Sequence, residues 1–138
     1  MTKKQGIFLA LISFVSLCLS VYSVINNEQS KNYDVQYVLY LGTNSIKNNE
    51  PVFSPEEAKL KADLILFKYF DGFTIQEANG GWKNDDGSFS HEYTLVIYLS
   101  DTTKEKVYKA MDELLKVFEQ SSILLQSNKT QTEFYSGK

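Results

Sequence analysis

The 138-residue chain contains no arginine, one cysteine, one histidine and two prolines, and these shortages exclude several function classes. Arginine's planar fork is the usual means of bidentate contact with phosphates and base edges, whereas lysine offers only a point charge. All 14 basic residues are lysine, against 17 acids, for a formal net charge of −3. An acidic chain without arginine is a poor nucleic-acid binder, and no nucleic-acid partner is expected. The lone cysteine, Cys18, lies in an apolar N-terminal run, so the remainder has neither a disulfide nor thiolate chemistry. With one histidine and no cysteine beyond that run, no zinc or iron site of ordinary ligands is expected, and no cofactor is implied.

What the chain has in quantity is apolar sequence at its start. Lys3 and Lys4 precede an uncharged run from Gly6 to Asn27, and the first acid is Glu28. The apolar core of that run, Ile7 to Ile25, is 19 residues. At about 1.5 Å of rise per residue it nearly spans a hydrocarbon layer of about 30 Å, where only a helix satisfies the backbone. The run is longer than the roughly 7 to 15 apolar residues of a secretory signal, and Ser16, Ser20 and Ser23 are scattered rather than gathered at a cleavage site. An uncleaved single-pass anchor over residues 6–27 is favoured, with a cleaved signal and secretion as the alternative. A lipoprotein reading of Cys18 is disfavoured by Leu17 directly before it. Lys3 and Lys4 hold the N-terminus in the cytoplasm, so the C-terminal part is expected outside it. The expected organisation is an anchor or signal over 1–27, a polar linker over 28–32 and one domain over 33–138. Everything after the leader, from residue 28 on, carries 12 of the 14 lysines and all 17 acids, so its charge is near −5.

Within the domain the apolar periods alternate between two and 3.6. Tyr33 to Leu41 reads as a strand, with Val35, Tyr37, Leu39 and Leu41 on one face and Gln36, Val38 and Tyr40 on the other. A polar loop, Gly42 to Pro51, leads to Ser54-Pro55-Glu56-Glu57, which combines a cap, a first-turn proline and a capping box. The helix it opens is expected to reach about Phe70. Phe73 to Ala78 reads as a second strand continuing through Gly80-Gly81 to Trp82. Asn84-Asp85-Asp86-Gly87 is a tight-turn signal, and Phe89 to Leu99 a third strand, so the two form a hairpin. Thr102 and Glu105 predict a second capping box, opening a helix that ends near Gln120. Ser122 to Gln126 reads as the last strand, with Thr130 to Tyr135 extending it or forming a fifth. The order β-α-β-β-α-β predicts an α+β, ferredoxin-like sandwich: an antiparallel sheet with both helices on one face.

Several of these residues form a recognisable pattern. Tyr37 to Gly42, then Phe70-Asp71-Gly72-Phe73-Thr74-Ile75, Gly80-Gly81-Trp82, Asp86-Gly87 and Glu92-Tyr93-Thr94, together resemble a family of small exported bacterial proteins defined as a domain of unknown function. The resemblance covers most of the domain but not the apolar run; it implies a fold and an exported location and no activity. More distantly, the layout is similar to the PII-like trimers, which hold small ligands in clefts between subunits. The absence of arginine and of a basic phosphate-gripping cluster speaks against a nucleotide.

The candidate site residues cluster at the hairpin and on the second sheet face. Trp82 offers either a flat platform for a ligand or a cover for the edge of the core. His91 and Glu92 are adjacent, so on a strand they point to opposite faces and do not make an acid–base unit. Asp71, Glu77 and Glu92 would bind a hard cation only if they converged. Val38, Tyr40, Val96 and Tyr98 make the second face too apolar to stand uncovered, which predicts a homo-oligomer or a protein partner packed there. The leading functional expectation is a membrane-tethered extracytoplasmic binding module that is not an enzyme. The alternatives are an enzyme of the dimeric α+β barrel kind, using His91, Tyr40 or Tyr98 to handle protons, and a PII-like sensor.

Overall fold

The computed structural model describes residues 13–23 and 34–137. The chain divides into two units, Met1–Tyr33 and Asp34–Lys138. In the first, residues 13–23 form helix α1, along which the Ser20 and Ser23 hydroxyls donate to the carbonyls of Ser16 and Ser20 at 2.9 and 2.8 Å. Among the described residues no helix is long and apolar enough to cross a membrane. The expected span over 6–27 lies outside the described residues except for this stretch.

The second unit is an α+β domain whose elements are β1 (Asp34–Gly42), α2 (Pro55–Leu66), β2 (Thr74–Lys83), β3 (Phe89–Leu99), α3 (Lys104–Val117) and β4 (Leu124–Thr130). The strands form one sheet in the order β2-β3-β1-β4, with every neighbouring pair antiparallel. The odd-numbered residues Tyr37, Leu39 and Leu41 of β1 and Leu95, Ile97 and Leu99 of β3 are buried. They join Ala58, Ala62, Ile65 and Leu66 of α2 and Val107, Ala110 and Leu114 of α3 in a single core. Both helices therefore cover the odd face of the sheet. The alanines of α2 keep its backbone close to the strands, and Phe118 fills the end of the core edge-on to Phe53, ring centroids 5.4 Å apart.

The local signals act as their chemistry requires. Ser54 caps α2, accepting from the Glu57 backbone at 3.3 Å while the Glu57 carboxylate accepts from the Ser54 N–H at 3.1 Å. The hairpin turn closes with Gly87 donating to the Asn84 carbonyl at 3.0 Å, and Gly87 takes a φ of 85°, which glycine adopts without strain.

Other expectations are corrected. Helix α2 stops at Leu66, and only single turns continue to Phe70. The cap of α3 is Thr103, whose hydroxyl accepts from the Lys106 N–H at 3.4 Å; the adjacent Thr102 hydroxyl is buried without a partner. Strand β2 does continue through Gly80 and Gly81 as expected, pairing with Glu92 and His91, but it starts at Thr74 and runs one residue past Trp82 to Lys83. Strand β4 starts at Leu124, two residues later than expected, and residues 131–137 add no strand.

The second sheet face carries Val38, Tyr40, Val96 and Tyr98 side by side. Val38 and Val96 are 4% and 5% exposed in the single chain, although neither belongs to the helix-covered core. Their direct cross-strand neighbours are Tyr98 and Tyr40. The Tyr98 hydroxyl donates to Gln76 Oε1 at 3.0 Å and the Tyr40 hydroxyl to Gln126 Oε1 at 3.3 Å, tying each ring toward an outer strand.

Candidate functional site

Two concave regions lie at opposite ends of the sheet. The larger, a groove of about 680 Å³ at the hairpin end, is lined by Tyr40, Trp82, His91 and Glu92 together with the loop after β1. Four of the five candidate ligand-binding residues thus share one groove. The fifth, Tyr98, lines the smaller cavity of about 410 Å³ at the other end, beside Asp71, Asp101 and Lys106. The two tyrosines occupy successive rows of the even face and lean to opposite edges, which separates them.

Glu92 is the centre of the groove. On β3 it stands between two glycines, Gly80 on β2 and Gly42 on β1, and its carboxylate lies over Gly42. A Cβ at Gly42 would collide with that carboxylate, and one at Gly80 with the Thr94 hydroxyl. These glycines serve close side-chain approach across the sheet. The Asn44 N–H donates to Glu92 Oε2 at 3.2 Å. Among the described residues Glu92 makes no ion pair. Asn44 donates its side-chain N–H groups to the carbonyls of Asn49 at 3.1 Å and His91 at 3.4 Å, which leaves its buried Oδ1 with no donor.

The loop carrying Asn44 is fastened to the end of α3. Ser45 donates to Glu119 Oε2 at 2.6 Å, Lys47 pairs with Glu119 Oε1 at 2.7 Å, and the Gln120 amide donates to the Asn44 carbonyl. Hydrogen bonds from Lys47 and then Ser45 hold the Glu119 carboxyl below its usual range. Ile46 donates its backbone N–H to the Glu119 carbonyl at 3.1 Å. One wall of the groove is thereby held by several bonds at once.

Trp82 is 73% exposed, so it does not cover the core edge; it stands as an open aromatic surface. His91 pairs with Gly81 on the odd register while Glu92 pairs with Gly80 on the even one, so the two side chains face opposite sides as expected. Asp71, Glu77 and Glu92 do not converge: Asp71 lines the other cavity and Glu77 pairs with Lys59 at 2.7 Å. Among the described residues no three potential ligands are placed to hold a metal ion. Lys59 lowers the Glu77 carboxyl, and burial, followed by Glu77, pushes the Tyr93 hydroxyl up to about 12. At that value Tyr93 is a neutral structural group rather than a proton carrier near pH 7.

The sequence reading missed Asn44 and the glycine pair, whose partners are distant in the chain. It also missed Leu60, Leu64 and Phe67, which are exposed along one side of α2 and its end. Their spacing of four and three residues is the legible signal, obscured because α2 is apolar on its buried side too.

A family model described as "Protein of unknown function (DUF3574)" matches residues 36–134, most of the chain. The chain belongs to this family. The match spans all four strands, both domain helices and every residue of the groove, and it starts beyond the apolar run. No curated protein matches the chain.

Among solved structures, the domain is similar to a phage SAM lyase in complex with S-methyl-5'-thioadenosine. That structure is 17% identical with a TM-score of 0.54, covering 75% of this chain and 93% of that one. The phage SAM lyase in its apo state is 16% identical with a TM-score of 0.52, covering 75% of this chain and 94% of that one. At these identities the likeness is one of fold.

Proposed function

We propose that the domain is an extracytoplasmic module, tethered to a membrane by residues 6–27, that binds a small molecule in the groove at its hairpin end. The observation that carries this reading is the groove itself. Glycines on two strands clear room for the Glu92 and Thr94 side chains, and the loop opposite is clamped to Glu119. Rigid walls around an incompletely paired carboxylate and an exposed indole suit ligand capture, because little order must be gained on binding. The tether is supported by the 19-residue apolar core after Lys3 and Lys4. Association with a second copy is supported by exposed apolar side chains, among them Leu124 on the sheet and the Leu60, Leu64 and Phe67 row of α2.

An enzyme of the same fold is the second reading, favoured by the likeness to the phage SAM lyase. In that reading Glu92, the sole carboxylate of the groove, is the residue placed to act on a substrate, since among the described residues it makes no ion pair and accepts only the Asn44 N–H. Trp82 is the only tryptophan, so its fluorescence reports the groove directly. The full chain in detergent, titrated with a small-molecule collection, is expected to change its emission with saturable ligands. Chromatography of each bound ligand after incubation separates the readings: unchanged ligand supports a binding module, and a new product supports an enzyme. Membrane fractionation with N-terminal sequencing tests the tether.

A further inference from the structure

This inference rests on the groove being a ligand site and names the chemistry of its occupant. We infer that the groove takes a small protonated organic amine, its ammonium group on Glu92 and its apolar or aromatic body against Trp82.

The groove presents an open acceptor and one sign of charge. Among the groove's lining residues no lysine occurs, Glu92 is the sole carboxylate, and His91 lies on the opposite register. Lys47, on the nearby loop, is already held by Glu119 at 2.7 Å. Among the described residues the Glu92 carboxylate accepts a single backbone N–H, through Oε2, which leaves its second oxygen for a donor from a ligand. Asn44 is oriented by the two carbonyls that its N–H groups reach, which fixes the loop whose backbone N–H holds Glu92 Oε2. One open carboxylate oxygen and one negative charge call for a cation that carries hydrogens.

The aromatic groups point to the same class. Trp82 is 73% exposed on the far side of the groove, and Tyr40 borders it on β1. An indole face attracts a cation through its quadrupole and covers the apolar body attached to it. An anionic ligand would meet Glu92 with no compensating cation. A neutral one would leave the carboxylate unpaired in a site that it partly desolvates. A quaternary ammonium would satisfy the charge and the indole but leave the open Glu92 oxygen without a donor.

The test uses four probes with one body and different heads: phenethylamine, its trimethylammonium derivative, phenethyl alcohol and 3-phenylpropionate. Each is titrated into the full chain in detergent at pH 7, following Trp82 emission excited beyond the phenyl absorption. Phenethylamine is expected to bind most tightly, the trimethylammonium compound several-fold more weakly, the alcohol about tenfold more weakly, and the carboxylate least. Raising the salt concentration is expected to weaken the amine and leave the alcohol unchanged. Glu92→Gln, checked for folding by circular dichroism, is expected to bring the amine down to the level of the alcohol. Should that variant not fold, the salt series on the unaltered protein decides alone.

Equal binding of amine and alcohol, or amine binding insensitive to salt, overturns the inference while leaving the groove a ligand site. A trimethylammonium compound binding more tightly than the amine overturns the hydrogen bond assigned to the open Glu92 oxygen. Silence from all four probes, together with silence from the broader collection, overturns the ligand-site reading and this inference with it.

Discussion

The two faces of this sheet bury apolar residues by different means. On the odd face, Leu39, Leu41, Leu95, Ile97 and Leu99 lie beneath two helices that run back over the strands. On the even face, Val38 and Val96 reach almost the same burial outside the core that α2 and α3 cover, each beside a tyrosine tied by its hydroxyl to a glutamine on an outer strand. A tyrosine carries a large apolar ring and a polar tip, so it can shelter a small neighbour while its own end stays wet. The comparison shows helices covering one face and tyrosine rings bordering the valines of the other. It also locates the apolar surface still exposed: Leu124, at 59%, and the row along α2.

The contrast can be tested by removing side chains from each face and comparing the costs. Phe118→Ala, at the fully buried end of the odd face, is expected to lower stability by about 3–5 kcal/mol in urea unfolding. Val38→Ala on the even face should cost about 1.5 kcal/mol, the transfer value of the lost methyl groups, with little added for a cavity. A much larger loss would mean that the even face is packed as rigidly as the odd one. Tyr98→Phe removes only the exposed hydroxyl bond to Gln76 and is expected to cost roughly 0.5–1 kcal/mol, while raising the exposure of Val38 and Val96 to hydrogen exchange on their backbone amides.

The smallest effect is a pH dependence at the groove loop. The Glu119 carboxyl is held below its unfolded range by Lys47 and Ser45, so its contribution is complete above the unfolded value and is lost as pH falls through the folded one. Melting temperature followed downward from pH 6 should therefore fall more steeply for the unaltered chain than for Glu119→Gln. Identical slopes would show that the clamp on Asn44 does not depend on that charge.

Much of this fold was readable in the chain because its signals are local. Ser54 and Glu57 are three residues apart and cap α2 as their spacing requires. The alternation of β1 and β3 and the turn at Asn84 to Gly87 act within a few residues of themselves. Where two neighbours offered the same chemistry, sequence could not choose: Thr102 and Thr103 are both acceptable caps, and the backbone selected Thr103. The boundaries of α2 and β4 shifted for a similar reason, since apolar residues continue past the last helical turn and precede the first paired residue. Of the candidate site, Trp82, Tyr40 and Glu92 were identifiable as residues, but not that Tyr98 would leave them or that Asn44 would join them.

By itself the sequence determined the element order, the helix caps, the hairpin and the odd core face, because each follows from periods and contacts within one turn or one strand pair. Only the tertiary structure decided that Glu92 should lie over Gly42, fifty residues away, that Asn44 should be pinned from Glu119 and Gln120, and that Tyr40 and Tyr98 should serve opposite ends of the sheet. Those meetings depend on strand register and on the diagonal lean of side chains across it. Neither leaves a periodic trace in the chain.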